Sequence, residues 1–184
     1  MAKKNGNRNI SVLIIVGIVL LLVGGFFMMK MNEQKRLSAI DSFEKCQEAG
    51  YPIMESYPPQ CRVNGQTFTQ DIGNEIEYID EILVTNPLPN QKIKSPVTIT
   101  GKARGNWFFE ASLSAEIVDS DNKHLSDVIL TAKEEWMTED FVEFKGTFEF
   151  EKPESNKGKV VIKNANPSGM EENQKTLIIP VEFE

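Results

Sequence analysis

The feature that most constrains this chain is an uncharged apolar run near its N-terminus, residues 10–29, with the sequence ISVLIIVGIVLLLVGGFFMM. As an α-helix, twenty residues span about 30 Å, the thickness of the hydrocarbon layer of a bilayer. A soluble chain of 184 residues has too little mass to bury a helix that is apolar on every face. The run therefore predicts a single transmembrane anchor.

The alternative to an anchor is a cleaved signal peptide. Val23, Gly24 and Gly25 offer the small residues that a cleavage site prefers. However, no A-x-A sequence follows, and the run is longer than the ~7 to 15 apolar residues of a signal core. We expect an uncleaved anchor, with cleavage after Gly25 as the alternative.

The orientation of the anchor follows from the charge of the whole chain. Three basic residues precede the run and three follow it closely, so the positive-inside rule does not decide from the flanks. Residues 37–184 contain 14 Lys and Arg against 26 Asp and Glu, a net charge of −12, whereas residues 1–36 have six bases and one acid, net +5. A short basic leader is hard to translocate, which predicts a cytoplasmic N-terminus and an acidic domain outside.

Two cysteines, Cys46 and Cys61, follow the anchor, and both lie on the predicted outer side. An even pair in an exported segment predicts a disulfide. The spacing fits neither C-x-x-C redox chemistry nor a zinc site, and the only histidine is distant, at position 124. The surrounding sequence favours two or three helical turns over residues 38–48, a proline-rich loop and a hairpin turning at Asn64 and Gly65.

From Ile82 onward the apolar residues alternate, the pattern of strands with one buried face. The predicted faces are Val97, Ile99 and Gly101; Phe109, Ala111, Leu113, Ala115 and Ile117; Val142, Phe144, Gly146, Phe148 and Phe150; and Leu177, Ile179, Val181 and Phe183. Clusters of Asn, Asp, Pro and Ser separate them. Six to eight short strands predict a mainly β protein with an antiparallel β-sandwich.

This region also resembles a known family. Its motifs are Ser95-Pro96, then Gly101-x-Ala103-Arg104-Gly105, Trp107-Phe108-Phe109-Glu110, Trp136-Met137-Thr138 before Asp140-Phe141, and Asn166-Pro167-Ser168-Gly169. In this order they are similar to the immunoglobulin-like domain associated with bacterial spore germination proteins. Two positions depart from the pattern, with Glu143 where a proline is expected and Asn122-Lys123 where the turn is expected to hold a glycine.

The resemblance implies an extracytoplasmic β-sandwich with an interaction role and no catalytic residues. The predicted organisation is a cytoplasmic leader at 1–9, the anchor at 10–29, a small two-cysteine module at 38–72, a linker at 73–81 and an immunoglobulin-like domain at 82–184. A fold supplies no function by itself, so a link to germination does not follow.

Sequence motifs for catalysis or metal binding are weak. His124, the single candidate base, follows a polar turn, and no G-x-S-x-G sequence occurs. Asp119-Ser120-Asp121 begins like a calcium loop, but Lys123 replaces the next ligand, so we expect a turn there. The acids around Trp136 are interpreted as a solvated loop rather than a glycosidase pair. We therefore predict no enzyme activity, no cofactor and no metal site.

Trp136 and Met137 are the predicted partner contacts, because Trp136 lies among acids in a segment without alternation. Trp107 is expected in the core. The net charge of −12 excludes nucleic acid as a partner.

The leading hypothesis is a single-pass bacterial cell-surface protein that binds an envelope protein or a polysaccharide. The alternatives are a cell-wall-acting enzyme or its regulatory subunit, and a structural spacer.

Overall fold

The structure is a computed structural model that describes the backbone of residues 6–184 and the side chains from Val16 onward. Residues 1–5 of the predicted leader lie outside this description, as do the side chains of residues 10–15 of the predicted anchor. The described chain divides into two compact units, and the boundary in the sequence lies between Gln70 and Asp71.

The first unit begins with α1, Gly6–Ser38, a helix that continues nine residues beyond the apolar run. Within it, Val16–Ser38 is long and apolar enough to cross a membrane, with a mean hydropathy of 1.5 and no residue of its most apolar stretch buried in the protein. This segment is therefore not a buried core helix. By length and composition alone, the helix fits both a membrane anchor and a signal sequence.

The two-cysteine module follows, with α2 at Phe43–Glu48 and three short strands, β1 (Ile53–Met54), β2 (Gln60–Val63) and β3 (Gln66–Thr69). The helix begins later than residue 38 because Ser42 adopts an extended backbone and its Oγ accepts a hydrogen bond from the Lys45 amide at 3.2 Å, forming an N-cap. Asn64 and Gly65 both have positive φ, as a two-residue hairpin requires, which confirms the predicted turn.

The predicted disulfide is confirmed. Cys46 on α2 bonds to Cys61 on β2, and their Cα atoms are 6.1 Å apart. Both cysteines are fully buried and form a small core with Phe43 and Val63. A core of this size provides little hydrophobic stabilisation, so the covalent bond contributes much of the module's stability.

The second unit consists of eight strands with three single 3-10 helical turns at Glu75–Tyr78, Gly105–Trp107 and Glu171–Asn173. The strands are β4 (Ile82–Asn86), β5 (Gln91–Ile93), β6 (Val97–Arg104), β7 (Ser112–Asp119), β8 (His124–Ala132), β9 (Phe141–Phe148), β10 (Lys157–Lys163) and β11 (Thr176–Phe183). The segment 73–81, where a linker is predicted, contains the first of these turns. There Tyr78 packs edge-on against the Trp107 ring, with 5.4 Å between centroids.

The strands form one curled sheet in the order β4-β6-β9-β8-β7-β10-β11-β5. β8 and β9 pair at only two positions, Thr131 with Lys145 and Ala132 with Phe144, so this short junction separates the sheet into two halves. The halves enclose one core, as an immunoglobulin-like sandwich requires. Every pair is antiparallel except β5 with β11, which is parallel because the chain crosses from one sheet edge to the other after β4.

Most of the predicted faces are buried, with one correction at the start of β7. The structure places Glu110 and Ala111 at positive φ and leaves Phe109 46% exposed, so the predicted strand over residues 109–111 is wrong and β7 begins at Ser112. The mid-strand Gly146 allows a close approach of β8. A Cβ there would lie 2.8 Å from the carbonyl oxygen of Ile129 on β8.

Candidate interaction surface

The topology brings three connections to one end of the sandwich. β6 ends beside the start of β9, with Arg104 opposite Phe141, and the start of β7 lies opposite the end of β8, with Ser112 opposite Thr131. The end of β10 joins them through Lys163, opposite Ser114. We call this region the loop end and define it as residues 105–111, 133–140 and 164–175. In antibody variable domains, loops at one end of the sandwich form the binding site.

The β6–β7 connection is anchored by Trp107, which is fully buried, as the sequence predicted. It enters the core from a 3-10 turn rather than from a strand, and the Phe108 amide donates to the Gly105 carbonyl at 3.0 Å. The indole Nε1 donates to Oε2 of Glu81 at 2.9 Å, so the polar atom of this large side chain has a partner.

Glu81 also pairs with Lys175, which lies at the end of the β10–β11 connection. Desolvation by partial burial acts to raise the pKa of Glu81. Hydrogen bonds from Lys175 and Trp107, together with the lysine charge, outweigh that effect, so the pKa of Glu81 lies below its ordinary value of 4.5. The carboxylate thus ties the start of β4 to two of the three connections.

The β10–β11 connection is held by Asn164, one of the few buried polar residues. Its Oδ1 accepts from the Lys175 amide at 2.7 Å and from Nε2 of Gln174 at 2.8 Å, and its Nδ2 donates to the Asn173 carbonyl at 3.1 Å. The amide of Ala165 donates to the carbonyl of Trp107 at 2.8 Å, which fixes this connection to the β6–β7 turn.

The β8–β9 connection packs closely against Gly105 of the β6–β7 connection. A Cβ at position 105 would lie 1.9 Å from the Thr138 carbonyl oxygen and 2.3 Å from that of Trp136, so a larger residue would displace the connection. Arg104 holds the same segment, because its Nη1 donates to the Glu139 carbonyl at 3.0 Å. The close approach to Gly105 and the hydrogen bond from Arg104 therefore set the position of residues 136–139.

A surface depression of about 470 Å³ lies between these two connections. It is lined by Gly105, Asn106, Phe108, Trp136, Met137, Thr138 and Glu139. Phe108 is buried, Trp136 is half-buried and packs against the core, and Met137 is 73% exposed. Trp136 is thus less exposed than its acidic neighbours suggested, whereas Met137 is available to a partner. Their role as partner contacts stays a prediction.

Most charged residues of the β8–β9 connection are acidic and solvent-exposed. Glu134, Glu135, Glu139 and Asp140 are all exposed, and none of the four is in an ion pair among the residues that the structure describes. The single basic residue of this connection, Lys133, bonds to Glu143 on β9 at 2.8 Å. The family pattern has a proline at position 143. In this chain Glu143 stands there and forms the ion pair with Lys133.

His124 lies far along β8 from the loop end, at the first residue of the strand. Its Nε2 is 2.9 Å from Oδ2 of Asp127, and both groups approach Glu116, whose Oε1 is 2.6 Å from Nζ of Lys163. A register shift opposite Ile117 and Val118 brings His124 and Asp127 to the same face of β8. These four side chains form a partly exposed cluster, in which Glu116 and Lys163 are an ion pair and His124 lies within hydrogen-bond distance of Asp127.

The Asp119 segment is a turn, as the sequence predicted. One carboxylate oxygen, Oδ1, accepts from the amides of both Asp121 and Lys123 at 2.9 Å. Asn122 carries a φ of 60°, a conformation that asparagine tolerates, where the family pattern has glycine. Asp119 therefore caps the β7–β8 turn.

Sequence reasoning missed Glu81, Asn164 and Lys175 as the residues that join the three connections. Their polar side chains lie at strand ends, outside the alternating segments, and the contacts of Glu81 with Trp107 and Lys175 cross 26 and 94 residues. One signal was present, because the family motifs at Gly105, Trp107, Trp136-Met137-Thr138 and Asn166–Gly169 all lie at the loop end. That coincidence could have identified this end before the structure.

Comparison with known proteins supports the assignment of the fold. A family model described as the immunoglobulin-like domain of bacterial spore germination matches residues 81–171. No curated protein and no solved structure matches the chain. The matched segment begins at Glu81 and spans β4 to β10, including every strand that contributes to the β6–β7 and β8–β9 connections. Residues 81–171 therefore match the immunoglobulin-like domain of bacterial spore germination, and β11, which follows them, completes the same sheet.

Proposed function

We propose that this chain is a non-enzymatic, single-pass bacterial membrane protein that presents its immunoglobulin-like domain outside the cytoplasm, where the loop end binds another envelope component. The observation that carries the binding role is the depression of the loop end, where the exposed Met137 and the half-buried Trp136 border buried Phe108. Apolar and aromatic side chains in a partly enclosed position are typical of the centre of protein interfaces.

The proposed location has two supports of different kinds. The first is the apolar part of α1, whose side chains from Val16 to Met29 have no core to pack against. The second is the disulfide, because structural disulfides persist in oxidising compartments and are rare in the cytosol. A domain on the outer side satisfies both.

The proposal of a non-enzymatic role is supported by the positions of the titratable groups. His124 pairs with Asp127 at the start of β8, so a histidine base is not available at the loop end. The carboxylates near Trp136 are solvent-exposed, whereas a glycosidase acid requires a partly dry site that raises its pKa.

The test uses the full chain, expressed in a bacterial membrane and cross-linked before solubilisation in a nonionic detergent. Met137→Ser removes the exposed apolar contact, and Leu88→Ser is the matched control, because Leu88 is 54% exposed in the β4–β5 connection, outside the loop end. We expect a specific cross-linked partner that is lost in Met137→Ser and retained in Leu88→Ser. Equal recovery of the partner from both variants would contradict the proposed contact, and no partner for the wild-type chain would favour a spacer.

A further inference from the structure

We infer that the partner of the loop end is a protein segment that presents lysine or arginine side chains around an apolar residue. The inference rests on the proposed function, because it assigns a chemistry to the partner that the loop end binds. It is carried by the distribution of charge over the two ends of the sandwich, in combination with the position of the depression.

The loop end has a strong excess of acids. Its three connections contain seven carboxylates: Glu110, Glu134, Glu135, Glu139, Asp140, Glu171 and Glu172. They contain two bases, Lys133 and Lys175, so the net charge is 2 − 7 = −5. Since Debye screening at physiological salt extends over about 8 Å, neighbouring carboxylates in one loop still act together on an approaching charge.

The positive charges of this end are already engaged. Lys133 is paired with Glu143 and Lys175 with Glu81. Arg104, at the end of β6, donates to the carbonyls of Asp80 and Glu139, and its guanidinium lies 4.2 Å from the centroid of the Phe141 ring. The exposed carboxylates of the β8–β9 connection therefore keep their charge free for a partner.

The opposite end differs, although the domain as a whole is acidic. Its connections, residues 94–96, 120–123 and 149–156, contain four acids, Asp121, Glu149, Glu151 and Glu154, and three bases, Lys94, Lys123 and Lys152. The net charge there is 3 − 4 = −1. The excess of acids is thus concentrated at the end that also has the depression, rather than spread evenly over the surface.

These two features together favour one type of partner. A cationic side chain gains from the carboxylates of the loop end, one of which, Glu139, lines the depression. An apolar side chain can contact Met137 and Trp136 in the same depression. An anionic envelope polysaccharide meets repulsion from the same carboxylates, since like charges facing each other oppose association. A cationic protein segment is therefore the partner that this surface fits.

The experiment compares two full-length variants with the same net charge. The loop-end variant is Glu134→Gln, Glu135→Gln, Glu139→Gln and Asp140→Asn. The matched control is Glu149→Gln, Glu151→Gln, Glu154→Gln and Asp121→Asn, which removes the same residue types at the opposite end. The probe is a fluorescent peptide of alternating lysine and leucine, with a glutamate and leucine peptide as its counterpart, and binding is measured by anisotropy in nonionic detergent.

We expect the wild-type chain to bind the lysine peptide and not the glutamate peptide, with an affinity that falls as salt is added. The loop-end variant should bind about tenfold more weakly, and the control should change by less than about threefold. Equal losses in both variants would overturn the inference, because overall charge would then explain the binding. Binding of the glutamate peptide, or of a purified anionic envelope polysaccharide, in preference to the lysine peptide would also overturn it.

The cross-linked partner of the full chain separates this inference from the proposed function. If that partner is lost with Met137→Ser but retained with the loop-end charge variant, the contact stands and its cationic character is wrong. If neither variant affects recovery, the loop end is not the contact surface and both proposals fail.

Discussion

Glu81 shows how a single side chain can hold an entire end of a domain together. Its carboxylate precedes β4, accepts from the Trp107 indole and pairs with Lys175, so it joins segments separated by 26 and 94 residues. Lys175 also lies 6.0 Å from the centroid of the Trp107 ring. Since the carboxylate and the ammonium are both about one-third exposed, solvent weakens their attraction, and much of the stabilisation comes from the hydrogen bonds.

Glu81→Gln should lower the free energy of unfolding of the domain by about 1.5 kcal/mol at neutral pH, the low end for a hydrogen bond to a charged group. The pKa of Glu81 is lowered in the folded state, so its contribution is fully present above its ordinary value of 4.5 and is lost as the pH falls through the folded pKa. The difference between wild type and variant should therefore vanish in acid.

Urea unfolding of the full chain in nonionic detergent, followed by tryptophan fluorescence at several pH values, measures this effect. Both tryptophans, Trp107 and Trp136, lie in the immunoglobulin-like domain and report on it directly. Glu149→Gln, in the β9–β10 connection, serves as the control for loss of one negative charge. A deficit in Glu81→Gln that persists unchanged at low pH would show that the carboxylate charge is not the cause.

At the scale of elements, the two-cysteine module depends on its disulfide more than the sandwich depends on any one contact. Four buried side chains form its core, two of them the cysteines themselves. Closing a loop of about 15 residues stabilises a small domain by about 3 kcal/mol in the chain-entropy model. The strands β1 to β3 are only two to four residues long and add little by themselves.

Replacing both cysteines, Cys46→Ser with Cys61→Ser, should therefore unfold the module locally while the sandwich keeps its structure. Hydrogen exchange of the full chain measures this, with fast exchange expected for the amides of α2, β2 and β3 and unchanged protection for β6, β7, β9 and β10. Protection of the β2–β3 hairpin that survives the double substitution would show that the hairpin is stable without the bond.

The strands that sequence alone identified are those with strict alternation, namely β6, β9, β11 and the latter part of β7. β8 and β10 were not identified. In β8 the pattern is broken by His124 and by the register shift beside it, and most of its residues are partly or fully exposed. The strand is formed by its pairing with β7, which depends on a partner that local sequence does not contain.

The turn at Glu110 and Ala111 was missed for a related reason. Neither residue type favours positive φ, so the alternation of Phe109, Ala111 and Leu113 favoured a continuous strand. The tertiary contacts of the β6–β7 connection override that preference, as the burial of Phe108 indicates. The same limit applies to the candidate surface. The sequence identified the acids and Trp136, but it did not indicate that the buried Phe108 also lines the depression.

For the whole molecule, the combination of an apolar helix, a disulfide and an acidic domain leads to a prediction about topology. The flanking bases are balanced, so orientation depends on the difference between the net +5 of residues 1–36 and the net −12 of residues 37–184. Lys152→Cys places a thiol on an exposed position of the β9–β10 connection. A membrane-impermeant maleimide should label this thiol in intact cells as fully as after permeabilisation.

Two internal controls make the topology experiment decisive. Cys46 and Cys61 should resist alkylation until a reductant is added, because the outer compartment keeps them oxidised. An epitope added before Met1 should remain on the mature chain, since cleavage after Gly25 would remove it. Labelling that requires permeabilisation, together with free thiols at both native cysteines, would place the domain in the cytoplasm and overturn the proposed display, whereas loss of the epitope alone would replace the anchor with a secreted domain.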